Sequence, residues 1–264
     1  MVVVRRPNCK RAIHMPQRVD YGIDAPGLMR GFLIGGTVAA AAGMATSLAG
    51  SSGAARLVGV SALLLASYLF GMGGYMLYES RIGKVRGRDR ILDQAEWRGD
   101  EQVLDVGCGR GLLLIGAAHR LTSGKAIGID IWRAKDQSGA SPEGAAHNAA
   151  IEGVAERIAI ETGDMRQLPF ADSSFDLVMS HWVVHNLEIE ADRVTALGEM
   201  KRVLRPGGRL LLTDIANRKE YRQWLDAQGF KHVRTLVSPI KDVILAAVSF
   251  GSFRPATIVA VKPA

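Results

Sequence analysis

The sequence has 264 residues, of which 48% are hydrophobic, 22% charged and 6% aromatic, and its formal net charge is +7. This length fits one large domain or one domain with an appendage, and the many aliphatic side chains exclude a mainly disordered chain. Two cysteines are too few for a disulfide framework or a CxxC zinc site, which favours a reducing compartment.

The excess of positive over negative charge lies entirely in the first third of the chain. Residues 1–98 contain 13 Lys and Arg against 6 Asp and Glu, whereas the remaining 166 residues contain 20 of each. The later part of the chain is therefore neutral overall. A nucleic-acid-binding domain is expected to carry a basic patch, so the distribution disfavours nucleic acid as a partner.

Two uncharged stretches follow each other in the basic region. Residues 31–55 and 57–78 contain no charged side chain, and Arg56 alone separates them. At about 1.5 Å per helical residue, each stretch can cross a hydrocarbon core about 30 Å thick. We therefore predict a transmembrane helical hairpin with two spans over residues 31–78. Small residues at four-residue spacing predict its packed face: Gly35, Ala39 and Gly43 in the first span, Ser67 and Gly71 in the second.

The flanks of this hairpin predict its orientation. Basic residues precede it (Arg5, Arg6, Lys10, Arg11, Arg18, Arg30) and follow it (Arg81, Lys84, Arg86, Arg88, Arg90). Because positive charge favours the cytoplasmic side, residues 1–30 are predicted as a basic cytoplasmic segment and residues 79–98 as a juxtamembrane linker or helix. A cleaved signal peptide fits poorly because a second span follows. The alternatives are a hairpin that enters one leaflet and a pair of buried soluble helices.

From residue 99 onward, strand and helix signals alternate. Apolar stretches predict strands at 103–106, 126–129, 158–161, 175–180 and 209–213, helices at 142–152 and 190–204, and a last antiparallel strand near the end. This order predicts an α/β fold with a doubly wound, mainly parallel sheet over residues 99–264. In such sheets a ligand lies at the carboxyl ends of the strands.

A glycine-rich turn follows the first predicted strand, with Gly107, Gly109 and Gly111 at alternate positions. The spacing is not the GxGxxG of dinucleotide-binding folds, because Leu112 stands where the third glycine belongs. It therefore disfavours a nicotinamide cofactor. It still permits a ligand to approach the backbone N–H groups closely.

Several motifs, in order, resemble those of class I S-adenosylmethionine-dependent methyltransferases: VLDVGCGRG, AIGID, TGDM, LPFADSSFDLVMS and RVLRPGGRLLLTD. The resemblance covers residues 89–264 and is closest to the group that includes the ubiquinone and menaquinone C-methyltransferases. It implies a seven-stranded, Rossmann-like sheet, S-adenosyl-L-methionine as the cofactor, and no metal.

The resemblance also implies which residues bind the adenosine half of the cofactor. Asp130, which ends the second strand, would accept hydrogen bonds from the ribose hydroxyls. Asp164 and Met165 would receive the adenine. Independently of the resemblance, Ile131 and Trp132 are candidate contacts to the adenine face, with an ordinary packing role as the alternative. The loop at 131–141, longer than a tight turn, is predicted to fold beside or over the adenosine.

For the methionine half, the resemblance implies that Asp105 contacts the ammonium group and that Gly107 and Gly109 leave room for the chain. Ser180, at the end of the fourth predicted strand, is also expected to bind the cofactor. Cys108 is interpreted as a small space-filling residue of the turn rather than a nucleophile.

In the family that the chain resembles, the residues after the fourth strand line the cleft near the transferred methyl group. His185 and His181 are therefore candidate bases or acceptor-orienting groups, and Trp182 is a candidate wall. The alternative is that one or both histidines only cap the next helix or bond the backbone. An NPPY-like sequence, typical of enzymes that methylate amide or nucleobase nitrogens, is absent from the chain.

Together these features predict a membrane-anchored methyltransferase that acts on a lipophilic or membrane-associated small molecule at the lipid surface. The alternatives are a non-catalytic membrane scaffold that retains the fold and, with less support, a nicotinamide-dependent oxidoreductase. The apolar stretch at 243–253 is interpreted as core or as an apolar mouth that faces the bilayer. The oligomeric state is left open.

Overall fold

The computed structural model of the protein describes residues 19–50, 52–249, 251 and 253–264. The basic residues before Val19 and the cysteine at position 9, which entered the sequence predictions, lie outside this range.

Two long helices precede the sheet: α1, Pro26–Ala49, and α2, Gly53–Tyr78. Pro26 occupies the first turn of α1, where its missing N–H is not needed, so the helix starts before the uncharged stretch. The Ser52 side chain caps α2 by accepting a hydrogen bond from the Ala55 N–H at 3.2 Å. Both helices are long and apolar enough to cross a membrane, by length and composition.

Residues seven positions apart line the contact between α1 and α2. Buried there are Met29, Gly36 and Gly43 of α1 and Gly59, Ala66 and Gly73 of α2. The prediction from four-residue spacing was right for Gly43 and wrong for Ser67 and Gly71, which are exposed. A step of four residues drifts about 40° around a helix, whereas a step of seven drifts about 20°. The seven-residue interval therefore keeps the small residues facing the partner helix.

Replacing a glycine of α1 by alanine should raise the stability of the protein at one position and lower it at another. A Cβ at Gly43 would lie 2.9 Å from the Gly59 backbone oxygen, whereas the described residues leave 4 Å clear around one at Gly31. We expect Gly31→Ala to stabilise the protein by up to about 1 kcal/mol, through helix propensity, and Gly43→Ala to destabilise it by forcing the helices apart. Thermal unfolding of both variants in detergent, followed by circular dichroism, checks this. Equal stability would contradict the packing.

The helix that leaves the hairpin is packed on the following domain. After α2 the chain makes a π-helical turn, Glu79–Gly83, and continues as α3, Lys84–Leu92. Leu92 is fully buried, and a Cβ at Gly116 would lie 2.6 Å from both the Leu92 and the Arg88 side chains. The segment predicted as a linker therefore contacts the helix that follows the glycine turn.

Residues 19–25, which we call the strap, pack on the same domain just before α1. Tyr21 is buried against Leu112 and Ile115. The buried Lys84 ammonium donates to the Tyr21 carbonyl at 2.7 Å and to the Asp24 carboxylate at 3.1 Å. The sequence prediction grouped the strap with the basic segment 1–30. In the structure it holds one end of the hairpin to the domain, while α3 holds the other.

The rest of the chain is a seven-stranded sheet with helices on its faces. The strands are β1 Gln102–Val106, β2 Lys125–Asp130, β3 Ile158–Thr162, β4 Phe175–His181, β5 Leu204–Asp214, β6 Lys231–Leu236 and β7 Ala256–Val261. The helices are α4 Leu112–Ala118, α5 Pro142–Ile151, α6 Glu190–Val203, α7 Arg218–Ala227 and α8 Pro239–Val248. The strand order is β3-β2-β1-β4-β5-β7-β6, with β7 antiparallel to its neighbours. The predicted Rossmann-like, mainly parallel sheet is confirmed.

The five strands predicted between residues 103 and 213 and the last predicted strand are all present. β1 lies in the centre, between β2 and β4, and its Val103, Leu104 and Val106 are fully buried. Strands covered on both faces are continuously apolar, which is why they were recognisable in the sequence. The carboxyl ends of β1, β2 and β4 open at the same edge of the sheet, beside the strap and the hairpin.

Candidate active site

A cavity of about 550 Å³ lies at the carboxyl ends of the central strands, within the roughly 300–1,000 Å³ typical of ligand pockets. Its wall has three parts. The glycine turn and the ends of β1 and β2 form the first, the segment after β4 forms the second, and α1 and α2 form the third. The hairpin and the domain therefore share one cavity.

The glycine turn forms the part of the wall beside β1. Gly107, Gly109 and Gly111 have φ angles of 75°, 50° and 86°, in the left-handed region that favours glycine. The Gly107 N–H donates to the Ile129 carbonyl at 2.7 Å, which ties the turn to β2. A Cβ at Gly107 would collide with the Val183 side chain. Glycine at position 107 is therefore required both by the backbone angle and by the packing of Val183 on the turn.

Asp130 lies between this turn and the loop after β2. One carboxylate oxygen accepts a hydrogen bond from the Gly109 N–H at 2.8 Å, and the other accepts one from the Trp132 N–H at 2.7 Å. Each oxygen has a second lone pair available to a ligand in the cavity. Ile131 also lines the cavity, whereas the Trp132 indole N–H donates to the Thr162 hydroxyl at 2.8 Å.

Asp105 is a buried carboxylate on the cavity wall. It is 2% exposed and accepts a hydrogen bond from the Leu114 N–H at 2.9 Å. Burial raises its pKa to about 7, because desolvation disfavours the charged form. Burial also raises the pKa of the neighbouring Cys108 thiol, which keeps it protonated, in agreement with a packing role.

Cofactor binding should depend on pH through Asp105. If the Asp105 carboxylate binds an ammonium group, it must be ionised, and it loses its charge as the pH falls through about 7. We expect the affinity for S-adenosylmethionine to fall about tenfold between pH 8 and pH 6. Asp105→Asn should bind more weakly and lack this component of the pH dependence. Calorimetry on both proteins at several pH values checks the expectation, and identical profiles would contradict it.

Of the other residues predicted to bind the cofactor, one lines the cavity and two do not. Met165 lines the cavity and is 8% exposed. Asp164 is absent from the described cavity wall and pairs with the Arg166 guanidinium at 2.6 Å, which holds its pKa below the ordinary range. The buried Ser180 hydroxyl donates to the Val106 carbonyl at 2.9 Å and is likewise absent from that wall. The roles of these residues in binding stay predictions.

His185 lines the second part of the wall and is held by a carboxylate. Its Nδ1 lies 2.5 Å from Oδ1 of Asp214, at the end of β5, and its backbone N–H donates to Oδ2 at 3.0 Å. The buried Tyr221 hydroxyl also donates to Asp214 Oδ2, at 3.1 Å, and burial raises the pKa of this tyrosine so that it stays protonated. Because Asp214 accepts at Nδ1, that nitrogen carries the proton in the neutral tautomer, in which Nε2 has the lone pair. The ring can therefore accept a proton.

His181 has a different environment. Burial lowers its pKa to about 4, so it is neutral at pH 7. Its ring stacks on the Trp182 ring with centroids 5.0 Å apart and planes 11° apart. The Trp182 ring meets the edge of Phe253 at 6.0 Å. Both histidines and Trp182 line the cavity, and their role on the acceptor side stays a prediction.

The described residues of the apolar stretch at 243–253 lie in different environments. Leu245 is 4% exposed and belongs to the core, whereas Val243 is 67% exposed. Phe253 and Ser249 line the cavity. The stretch thus supplies one core residue and two residues of the cavity wall, and the prediction that it faces the bilayer stays a prediction.

The hairpin supplies the third part of the wall. The side chains there are mainly apolar or aromatic: Leu28, Phe32, Tyr68, Met72, Tyr75 and Met76. Polar groups of the strap and of the start of α3, including Asp24 and Lys84, lie where this part meets the glycine turn. The cavity is therefore polar near the turn and apolar between the helices.

The strap and the loop after β2 are hydrogen-bonded to each other where the hairpin meets the glycine turn. Gln137 donates from its amide to Asp24 at 3.1 Å and accepts from the Arg110 N–H at 2.9 Å. The Ala25 N–H donates to the Asp136 carbonyl at 2.8 Å. The loop, predicted to fold beside or over the adenosine, thus connects the glycine turn to the base of α1.

Comparison with known proteins identifies the domain. Residues 104–212 match the family model described as Methyltransferase domain. The chain is 30% identical over 168 residues to a demethylmenaquinone methyltransferase of Symbiobacterium thermophilum, an overlap of 63% of this chain and 62% of that protein. It is 35% identical to 27-O-demethylrifamycin SV methyltransferase of Amycolatopsis mediterranei, over 50% of this chain and 44% of the relative. The chain thus spans about half to two thirds of the length of these relatives.

A solved structure shares this fold. Geranyl diphosphate C-methyltransferase from Streptomyces coelicolor A3(2) superimposes with a TM-score of 0.55 at 15% identity, over 70% of this chain and 82% of that one. The sheet and the family match define a Rossmann-like methyltransferase domain. Over residues 104–212 the chain is similar to methyltransferases, and the two relatives described above are methyltransferases. These matches give no support to a nicotinamide-dependent oxidoreductase.

The cavity fits the cofactor of this family, S-adenosylmethionine. The Asp105 and Asp130 carboxylates suit its ammonium and ribose hydroxyl groups, and Gly107 and Gly109 of the turn line the cavity beside them. Ile131 and Met165 supply an apolar surface suited to adenine. Within the described ranges, no three His, Cys, Asp or Glu side chains are grouped so that they could hold a metal ion.

Proposed function

We propose that the protein is anchored in a membrane by its hairpin and transfers a methyl group from S-adenosylmethionine to a lipophilic small molecule dissolved there. One observation carries this proposal. The cavity that contains Asp105 and Asp130 at one end is lined by Phe32 and Met72 of the hairpin at the other. A molecule in the apolar end therefore faces the cofactor-binding end without crossing water.

The outer surface of the hairpin supports the anchor. Large apolar side chains are exposed there, including Ile34, Val38, Leu48, Leu57, Val58 and Leu64. An exposed apolar surface of this extent is typical of a membrane-facing region. The Arg and Lys residues at both outer ends of the hairpin support a cytoplasmic domain.

The depth of the cavity supports an acceptor drawn from the bilayer. On α2 the cavity wall extends from Met76 back to Tyr68, and Tyr68 lies ten residues before the end of the helix. At about 1.5 Å per residue, the wall reaches about 15 Å along the hairpin. That depth corresponds to about half of a 30 Å hydrocarbon core.

The chemistry follows from His185 and the bound cofactor. S-adenosylmethionine, when bound, supplies an electrophilic methyl group. His185 Nε2 is the available base for a proton that the acceptor must lose, because Asp214 holds the other ring nitrogen. The enclosing hairpin and strap exclude water and orient the acceptor, which is most of what methyl transfer requires from the protein.

The relatives support an isoprenoid-type acceptor. One is named for demethylmenaquinone and another for geranyl diphosphate. A prenylated ring would extend its apolar chain between α1 and α2 and direct its ring toward His185. We therefore propose a prenylated aromatic or quinone-type molecule as the acceptor class.

Two neighbouring residues of α2 provide the test. Met76 lines the cavity, whereas Leu77 is 41% exposed and is absent from the described cavity wall. In lipid nanodiscs, Met76→Ala should lower kcat/KM for a prenylated naphthoquinol about 5- to 30-fold, because about 1–2 kcal/mol of apolar contact is lost. Leu77→Ala should match the wild type, and both should bind the cofactor normally. Equal kcat/KM for the two variants would refute the hairpin-lined acceptor site.

A further inference from the structure

A residue that lines the cavity, Trp182, carries a buried hydrogen-bond donor without a partner among the described residues. The indole Nε1 of Trp182 is buried and lacks a hydrogen-bond partner within the described part of the chain. By contrast, Trp97 Nε1 donates to the Leu92 carbonyl at 2.8 Å, and Trp132 Nε1 donates to the Thr162 hydroxyl at 2.8 Å. A buried donor without a partner costs about 1–3 kcal/mol, so such atoms are rare unless a ligand satisfies them.

The backbone and the neighbouring rings fix the orientation of this donor. Trp182 has φ 57°, in the left-handed region that a bulky residue rarely adopts, and its backbone N–H donates to the Thr213 carbonyl at 2.8 Å. His181 stacks on the face of the indole, and Phe253 meets it edge to face. The ring is therefore held in place with its donor unused. Strain that is retained in this way is typical of functional sites.

The position of Trp182 in the cavity indicates what would satisfy it. Trp182 belongs to the same part of the wall as His185, and its neighbour Val183 packs against Gly107 of the glycine turn. An acceptor whose chain lies against Phe32 and Met72 would have its head group in this region. The indole N–H offers one uncharged hydrogen bond, which suits a carbonyl or hydroxyl oxygen.

We propose that the Trp182 indole N–H donates a hydrogen bond to an oxygen on the ring of the methyl acceptor, so that the site selects rings bearing a carbonyl or hydroxyl group. This inference rests on the proposed lipophilic acceptor and adds the recognition of its head group. Trp182 thus acts as a binding and specificity residue, distinct from the base at His185.

The test compares two probes and two variants of the full chain in lipid nanodiscs. The probes are a prenylated 1,4-naphthoquinone and the corresponding prenylated naphthalene, which lacks both oxygens. Trp182→Phe removes the N–H and keeps an aromatic ring. Trp97→Phe is the matched control, since it makes the same change at an indole outside the described cavity wall. Calorimetry gives the dissociation constant of each probe and of S-adenosylmethionine.

We expect Trp182→Phe to weaken quinone binding about 3- to 10-fold and to leave naphthalene and cofactor binding unchanged, while Trp97→Phe changes none of them. Unchanged quinone binding in Trp182→Phe would overturn the inference, because the indole N–H would then contribute nothing to the affinity for the quinone. An equal loss for both probes would overturn it too, by assigning Trp182 a packing role. If the wild-type protein binds neither probe, the lipophilic acceptor itself is wrong, and the inference fails with it.

Discussion

Replacing His185 by glutamine is expected to lower kcat about 10²- to 10⁴-fold, which is the contribution of a positioned general base. The Asp214 carboxylate, 2% exposed, accepts at His185 Nδ1 and also holds the His185 backbone N–H. The imidazole is therefore fixed with Nε2 free to take a proton. Steady-state methyl transfer to a prenylated naphthoquinol measures kcat, and calorimetry should show unchanged cofactor binding.

Replacing Asp214 tests whether this carboxylate positions the His185 ring. Asp214→Asn should lower kcat to a similar degree, because an amide nitrogen can donate to Nδ1 and favour the wrong tautomer, and it should alter the pH profile of kcat. His119→Gln is the control, since His119 pairs with Glu152 at 2.9 Å and is absent from the described cavity wall. Wild-type kcat in His185→Gln would exclude His185 as the base.

Removing the Asp130 carboxylate should produce the largest loss of cofactor affinity. Asp130→Ala is expected to raise the dissociation constant of S-adenosylmethionine about 5- to 150-fold, which corresponds to about 1–3 kcal/mol of lost charged hydrogen bonds. Part of the loss arises within the protein, because Asp130 also holds the Gly109 and Trp132 N–H groups in place. Asp130→Asn should lie between the alanine variant and the wild type. Calorimetry on the full chain measures all three.

A surface carboxylate serves as the control for Asp130. The Asp172 side chain is 77% exposed and pairs with Arg202, so Asp172→Ala should leave the cofactor dissociation constant unchanged. If Asp130→Ala bound the cofactor as tightly as Asp172→Ala, the assignment of Asp130 to the ribose hydroxyls would be wrong.

The sequence predicted those parts of the fold in which a single property, such as a continuous run of apolar side chains, marks the element. The central strands are covered on both faces, so β1 and β4 appear as short apolar runs. β6, Lys231–Leu236, was not predicted, because it is an edge strand whose side chains are mostly polar and partly exposed. The packed face of the hairpin was only partly predicted, since composition reveals small residues but not the seven-residue interval at which they meet.

In the site, too, residues close to a recognisable motif were predicted, whereas partners that meet only in the folded chain were not. Asp105 and Asp130 stand beside the glycine turn or at a strand end, so their proximity is visible in the sequence. Asp214 was not predicted as a partner of His185, because the two are 29 residues apart and meet only through the pairing of β4 with β5. The unsatisfied Trp182 N–H depends on the packing of His181 and Phe253 around it, which residue order does not reveal.

The measurement that tests the central claim most directly is photocrosslinking of a prenylated naphthoquinol that carries a diazirine in its prenyl chain. The full-length protein in nanodiscs, with S-adenosylmethionine present, would be irradiated and the labelled peptides identified by mass spectrometry. An excess of unlabelled naphthoquinol distinguishes specific labelling from random contact with lipid-exposed helices. The proposed cavity predicts competable labels at Phe32, Met72 and Met76, with label at exposed residues such as Leu57 not competed. Competable labelling confined to sites outside α1 and α2, or none, would contradict a hairpin-lined acceptor site.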